Sequence, residues 1–336
     1  MRILVTGGAG FIGSCFVRET IAQTKDELLV FDKLTYAGNM DNLATVAENP
    51  RFRFVLGDVG DAEAVEGAFA EFRPDAVVHF AAESHVDRSI HAPSDSFATN
   101  LGGTFTLLEA ARQHKLGRFV HVSTDEVYGS LEAPHEADES YPLKASSPYS
   151  AAKAGSDLLV LAYFTTYRLP VMVTRASNNY GPYHFPEKLI PLMISNAFED
   201  KPLPVYGDGQ QIRDWLYVED HIRGIRSVLE HGGEGEVYNI GGNRSLTNLE
   251  VVRRILEATG KDQSLLRYVA DRPGHDRRYA LSSEKLMRKT GWAPKITFEL
   301  GLAATVAWYR DNWEWVQRVK SGDYRRFYEL NYQIQA

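Results

Sequence analysis

The chain opens R-I-L-V-T-G-G-A-G-F-I-G, from Arg2 to Gly13. A short apolar run enters a turn carrying Gly7, Gly10 and Gly13, and a helical pattern starts directly behind it. A strand that stops in such a turn and re-emerges as a helix must fold the helix back onto its own sheet. The first glycine allows a tight turn. The second lets the backbone approach a phosphate, and the third lets the helix pack on the strand. The helix N-terminus then offers unpaired N–H groups to whatever lies in front of it.

The rest of the first half repeats this unit. Strand candidates are Arg2–Thr6, Leu28–Asp32, Arg53–Leu56, Ala76–Ala81, Arg118–Ser123 and Val171–Arg175. Each is short and almost wholly apolar, as strands covered on both faces are. Helical patterns fall between most of them, at Ile12–Gln23, Ala62–Phe72, Phe97–His114 and Ser150–Thr166. The alternation predicts an α/β fold, a Rossmann-like doubly wound parallel sheet. After about Asn178, prolines and glycines crowd the chain as far as Gly209. A further strand, Glu236–Ile240, precedes G-G-N and is suited to rejoin the sheet. The tail ends in an aromatic-rich segment with Trp308, Trp313 and Trp315. We expect a nucleotide-binding domain at 1–178 plus about 214–243. A smaller, mixed C-terminal substrate-binding domain would take about 179–213 plus 244–336.

The bulk numbers narrow the function. A length of 336 residues suits one large domain or two smaller ones. The net charge of -7 gives no reason to expect nucleic acid or an anionic membrane as partner. Cys15 is the single cysteine, which excludes an intramolecular disulfide. No apolar run is long enough to span a membrane, and the N-terminus lacks the apolar core of a signal peptide. The expectation is a cytoplasmic protein. None of the ten histidines has metal-ligand spacing, so no metal is expected. His79, inside an apolar strand, reads as a satisfied core histidine.

Asp32 ends a strand about twenty residues after the last glycine, where the acid of a dinucleotide fingerprint belongs. It would take the adenosine ribose hydroxyls and repel a 2′-phosphate, which favours NAD over NADP. Lys33 beside it weakens that preference slightly. Asp58, in L-G-D-V, suits the adenine amino group, although a turn-capping role fits an aspartate there nearly as well.

Two further strings carry chemistry. S-T-D-E-V-Y-G, Ser123 to Gly129, places Asp125 and Glu126 side by side at a strand end. P-Y-S-A-A-K-A-G, Pro148 to Gly155, sets Tyr149 and Lys153 four apart on one helix face. A neighbouring ammonium lowers a phenol's pKa, so such a tyrosine can take a proton from a sugar hydroxyl. Adjacent side chains of a strand point to opposite faces. Both acids therefore reach one ligand only if the chain leaves strand geometry by Asp125.

With these motifs in place the chain resembles the extended short-chain dehydrogenase/reductase family over almost its whole length. Epimerase-like members usually follow the serine with small or uncharged residues, where this chain has T-D-E. That difference joins A-A-E-S-H-V-D-R-S (Ala81–Ser89), N-N-Y-G-P-Y (Asn178–Tyr183), P-E-K-L-I-P (Pro186–Pro191) and R-P-G-H-D-R-R-Y (Arg272–Tyr279). Together they look like the members that dehydrate nucleotide sugars across C4 to C6, with dTDP-glucose as the implied substrate and NAD as cofactor. The implied reaction oxidises C4, eliminates water across C5 and C6, and returns the hydride to C6, in deoxysugar biosynthesis such as that of dTDP-rhamnose.

The resemblance assigns Glu126 as base at C5, Asp125 as acid at C6 and Tyr149 as base at the C4 hydroxyl. Lys153 would support Tyr149, and Thr124 would hydrogen-bond the C4 oxygen. Asp125 must then stay protonated near neutral pH. The implied NAD site comprises Gly7, Gly10, Phe11, Ile12, Gly13, Asp32, Lys33, Leu34, Thr35, Asp58, Val59, Phe80, Ala81, Ala82, Ser84, Thr99, Tyr149, Lys153 and Asn178. The implied nucleotide-sugar site comprises Ser84, Thr124, Asn179, Glu187, Lys188, Leu189, Pro204, Tyr206, Arg213, Asn248 and His275. Tyr206 would lie near the base and Arg213 at the diphosphate. A diphosphate in an acidic protein needs placed cations, and Lys188, Arg213, Arg277 and Arg278 are the candidates. Relatives are typically dimers built through a four-helix bundle, and the helices Phe97–His114 and Ser150–Thr166 have apolar surface to spare. Competing readings are a UDP- or CDP-glucose 4,6-dehydratase, a nucleotide-sugar 4-epimerase, and a non-catalytic NAD-binding regulator.

Overall fold

Seven of the apolar runs pair into one wholly parallel sheet in the computed structural model, which describes residues 1–320. The strands in chain order are β1 (Arg2–Thr6), β2 (Glu27–Asp32), β3 (Phe52–Leu56), β4 (Ala76–His79), β5 (Arg118–Thr124), β6 (Val171–Ala176), β7 (Asn178–Tyr180), β8 (Leu203–Tyr206), β9 (Ile212–Tyr217), β10 (Glu236–Ile240), β11 (Ser245–Thr247) and β12 (Leu266–Val269). The large sheet has the order β10-β6-β5-β4-β1-β2-β3. Every residue of β4 and β6 is buried, because helices cover both faces. One apolar layer packs on each face: Phe16, Val30, Ile225 and Tyr238 lie in one, Phe69, Leu108, Phe119 and Val160 in the other.

The strand order reverses between β1 and β4, and in such sheets the crevice opens beyond the carboxyl ends at that point. The glycine loop follows β1, the Phe80–Ser84 segment follows β4, and Asp125 follows β5. The elements that carry the expected site residues therefore emerge at one edge. His79 bonds Thr6 Oγ1 at 2.7 Å and Thr104 Oγ1 at 3.0 Å, the satisfied core histidine expected.

Several boundaries move by one or two residues from the sequence reading, and three differences bear on the site. β4 ends at His79 rather than Ala81, since Phe80 and Ala81 turn away to line the crevice. The expected helix Phe97–His114 divides into a π-helical stretch, Phe97–Gly103, and an α-helix, Thr104–Gln113. The widened turn carries the buried Asn100, which holds the Glu83 backbone in both directions, at 2.8 and 3.0 Å. β9 belongs to a small sheet with β7 and β11, so the chain re-enters the large layer at the Val218–His231 helix rather than near 214. The third apolar cluster, with Tyr180, Trp215, Leu256 and Trp315, lies under this smaller layer. The expected C-terminal portion runs to 336, and 321–336 lie outside the described residues.

The Pro148–Tyr167 helix begins where S-S-P-Y dictates. Ser147 and Ser150 form a capping box, and Pro148 occupies the first turn, where its missing N–H costs nothing. Asp214 on β9 fixes the turn after β10: its carboxylate accepts from Gly242 N at 2.8 Å and Arg244 N at 2.6 Å. Asp214→Ala leaves two part-buried backbone amides without their acceptor. We expect it to destabilise the fold by about 2–4 kcal/mol in chemical denaturation.

Candidate active site

The crevice floor is the glycine loop. Gly7 has a φ of 69°, and a Cβ there would lie 2.5 Å from Ala81 N. A Cβ on Gly13 would lie 2.3 Å from Gly7 O. Neither position accepts a side chain. The Phe11–Gln23 helix has no side-chain N-cap and no acid in its first turn, so its N–H groups face the crevice open to an anion. Asp32 accepts from Ala9 N and Leu34 N, both at 2.9 Å, which pins the loop to the end of β2. Asn178 Oδ1 and Asp125 Oδ2 are buried and lack a hydrogen-bond partner among the described residues. A glycine cradle, an open helix end and orphaned polar atoms are what a dinucleotide would fill.

Most of the expected residues meet in this one cleft. It is lined by Gly7, Gly10, Phe11, Ile12, Gly13, Asp32, Lys33, Thr35, Val59, Phe80, Ala81, Ala82, Ser84, Thr99 and Asn178. Thr124, Asp125, Glu126, Tyr149, Lys153, Asn179, Glu187, Lys188 and Leu189 line it too. Leu34 and Asp58 do not. Asp58 holds Gly60 N at 2.9 Å and pairs with Lys33 at 3.5 Å, the turn-capping role.

β5 ends at Thr124, and a single 3-10 turn, Asp125–Tyr128, follows. Thr124 caps it, its Oγ1 accepting from Glu126 N at 3.2 Å. This is the break in strand geometry that two acids on one cleft require. Their surroundings differ. Burial drives Asp125 well above the usual carboxylate range, with Glu126 and Asp214 adding to the rise and Arg213 opposing it. Burial also raises Glu126, but the cations of Arg272, Lys188 and Arg213 all favour its charged form. The pair is thus biased toward one protonated and one ionised member.

Tyr149 and Lys153 flank the acids from the Pro148–Tyr167 helix. The expectation that the ammonium lowers the phenol's pKa is not what dominates here. Burial, then Glu126 and Asp125, hold Tyr149 above its ordinary value, with the Thr124 hydroxyl opposing. Lys153 Nζ is turned to the Val122 carbonyl at 2.7 Å, and burial brings its pKa down to about 8.

The remaining expected substrate-site residues form a second group. Tyr206 donates to Asp87 Oδ2 at 3.1 Å and meets the His275 ring edge-on. Arg213 donates to the Ile212 and Asp276 carbonyls and lies over the Tyr279 ring. Pro204 lies in β8 and Asn248 opens the Asn248–Thr259 helix. None of these five lines the main cleft. Arg277 pairs with Asp208 on the surface and Arg278 holds the His135 carbonyl, so neither serves as a cleft cation. Arg272 instead acts on Glu126, and it pairs with Asp87 at 3.4 Å. It stood in the same R-P-G-H-D-R-R-Y string, and only the reversal at Gly274, with a φ of 64°, separates its direction from theirs. Asp214, Trp215 and His221 were also missed. Trp215 and His221 line the cleft, and the charge of Asp214 adds to the rise at Asp125.

Glu187 joins cofactor-side and lid elements. It is buried, accepts from Arg88 Nε at 3.2 Å, and burial lifts its pKa to about 7. Arg88 in turn lies over the Tyr36 ring in the segment behind Asp32.

Comparison with known proteins agrees with this geometry. The family model described as GDP-mannose 4,6 dehydratase matches residues 4–305. A dTDP-glucose 4,6-dehydratase of Shigella flexneri is 53% identical over 358 aligned residues, covering 99% of each chain. Another, of Streptomyces niveus, is 52% identical and covers 96% of this chain and 97% of its own. Among solved structures, DesIV, a dTDP-glucose 4,6-dehydratase from Streptomyces venezuelae with NAD and TYD bound, matches with a TM-score of 0.93. It is 52% identical and covers 95% of this chain and 100% of that one. A UDP-glucose 4-epimerase of Thermus thermophilus in complex with NAD reaches a TM-score of 0.87 at 34% identity, over 93% of this chain and 100% of its own. With a family model spanning most of its length and relatives sharing half its residues nearly end to end, the chain belongs to the GDP-mannose 4,6 dehydratase family.

Proposed function

We propose that the chain converts dTDP-α-D-glucose to dTDP-4-dehydro-6-deoxy-α-D-glucose and water. The observation that carries this reading is the acid pair Asp125–Glu126, released from strand geometry beside Tyr149 and biased toward one protonated member. Epimerisation at C4 needs no acid and base at C5 and C6. Elimination across those carbons needs both.

NAD fits the cleft through the Gly7–Gly13 loop, Asp32 and Asn178. Bound there, it supplies a hydride acceptor for C4 and, once reduced, a hydride donor for C6. Tyr149 takes the C4 hydroxyl proton, with the positive charge of Lys153 favouring the phenolate. A ketone at C4 makes the C5 proton acidic, and Glu126 removes it. Asp125 gives its proton to the C6 hydroxyl, which leaves as water. The proton on Glu126 then returns to C5. Thr124, whose hydroxyl donates to Asp125 Oδ1 at 3.3 Å, would turn that proton to the C4 oxygen and polarise the ketone.

Lys188, Arg213 and Arg272 are the cations we assign to the substrate diphosphate. Asn179, Glu187 and Leu189 would bound the sugar, with Pro204, Tyr206, Asn248 and His275 toward the base. A homodimer is supported by the exposed Phe97, Phe105 and Leu158 on neighbouring helices, at 44%, 50% and 61% exposure. A cytoplasmic location fits a chain whose one thiol is buried and free.

Incubation with dTDP-glucose and with UDP-glucose, without added NAD, tests the reaction and its base preference together. A 4-keto-6-deoxy product absorbing in alkali is expected from dTDP-glucose. A C4 epimer instead would sink the reading. Glu126→Gln should still oxidise C4 but lose elimination by about 100-fold or more. Rapid C5 exchange with deuterated solvent in that variant would refute Glu126 as the base. Asp125→Asn should slow loss of the C6 hydroxyl by about 100-fold in rapid-quench analysis, and near-normal turnover would count against its acid role.

A further inference from the structure

Below the Lys153 ammonium runs a buried polar chain that the reaction above leaves unused. Lys153 Nζ lies 3.5 Å from His121 Nε2, and the same ring nitrogen lies 3.5 Å from Asp157 Oδ1. Asp157 stands one helical turn beyond Lys153 and has no exposed surface. Its Oδ2 accepts from Arg175 Nε at 2.8 Å. Arg175 Nη1 donates to the Tyr128 hydroxyl at 2.9 Å, and that hydroxyl donates to Asn239 Oδ1 at 2.8 Å.

If Asp157 served only to neutralise Arg175, both carboxylate oxygens would sit on the guanidinium, the stronger arrangement. Instead the Arg175 bond falls on Oδ2 and Oδ1 is turned to His121, while the Ser123 hydroxyl also favours the ionised carboxylate. With its proton on Nδ1, a neutral His121 accepts from Lys153 at Nε2, and the same ring edge faces Asp157 Oδ1. The ring thus lies between the ammonium and the carboxylate.

Other charges around Lys153 are accounted for. His79 on β4 and His121 on β5 are held neutral by burial, with the Lys153 charge adding to the effect. Arg175 on β6 is committed to Asp157. On the 3-10 turn, Glu126 and Asp125 act on Tyr149, and Asp157 acts on it more weakly in the same direction. Asp157 remains as the carboxylate that supports the cation.

We propose that Asp157 is a positioning residue for the reaction, holding Lys153 in its ammonium form from the far side of His121. The inference rests on the reading of Tyr149 and Lys153 as a proton-transfer pair. Burial brings Lys153 down to about 8 while Asp157 opposes the fall. The ammonium is present below that pH and lost above it, so activity should decline as pH rises through it. Without the Asp157 carboxylate the decline starts lower.

The test is kcat/KM of the holoenzyme from pH 6 to 9. Asp157→Asn should remain within about threefold of wild type at pH 6, with the alkaline limb about one unit lower, a deficit of about fivefold at pH 8 that approaches tenfold by pH 9. In a Lys153→Met background, Asp157→Asn should add no further loss. An equal loss at every pH, or the same further loss in that background, overturns the proposal. Asp157→Asn leaves Arg175 without its counter-charge. Should it fail to fold, Asp157→Asn/Arg175→Met removes both buried charges, and the same shift is expected. If wild type makes no 4-keto-6-deoxy product, the reaction assignment fails and takes this proposal with it. A wild-type product with an unshifted alkaline limb in the variant sinks this proposal alone.

Discussion

Two carboxylates one residue apart in a buried cleft repel each other, and the rest of the site is organised around that repulsion. A regular strand would separate them onto opposite faces of the sheet. The chain instead ends β5 at Thr124 and turns, using the Thr124 hydroxyl as cap, so both acids face one crevice. Burial then disfavours charge on both. What separates them is the placement of other charges. The charge of Asp214 adds to the rise at Asp125, whereas Arg272 and Lys188 act first on Glu126. A chain of net charge -7 therefore concentrates cations at one carboxylate of the pair.

The parallel sheet makes this economical in residues. Parallel strands deliver their carboxyl ends to one edge, so β1, β4, β5 and β6 each contribute a loop to the same crevice. The glycine loop approaches closely because Gly7 and Gly13 leave no room for side chains. The π-helical turn at Phe97–Gly103 serves the same edge, since Asn100 holds the Glu83 backbone and Thr99 reaches the cleft.

Much of this was legible in the sequence, for local reasons. The βα periodicity, the glycine spacing and the acid pair are each encoded within a few residues, whereas the helix expected from Ser150 starts two residues earlier, at Pro148, behind its Ser147 cap. Asp125 could be expected to leave strand geometry because the side-chain alternation of a strand allows no alternative. What sequence missed depends on chain direction after a turn. Arg277 and Arg278 were plausible cations by type, but Gly274 reverses the chain and sends them to Asp208 and His135, leaving Arg272 near the acids. Asp214 and His221 carried no pattern of their own, because their roles arise from strands and helices distant in sequence. β9 likewise pairs with β7 and β11, a non-local choice that no run of apolar residues announces.

The same logic bears on Tyr149. A phenol beside two acids in a buried cleft is a poor base, and the helix partner Lys153 is itself desolvated. A lysine losing its charge near neutral pH would leave the phenolate unsupported. Helical spacing alone does not solve this, since i,i+4 placement fixes proximity but not protonation. A second i,i+4 step along the same helix, from Lys153 to Asp157, brings in a buried carboxylate whose Oδ1 faces the His121 ring rather than Arg175. The helix thus places phenol, ammonium and carboxylate at successive turns, with Asp157 favouring the charged form of Lys153.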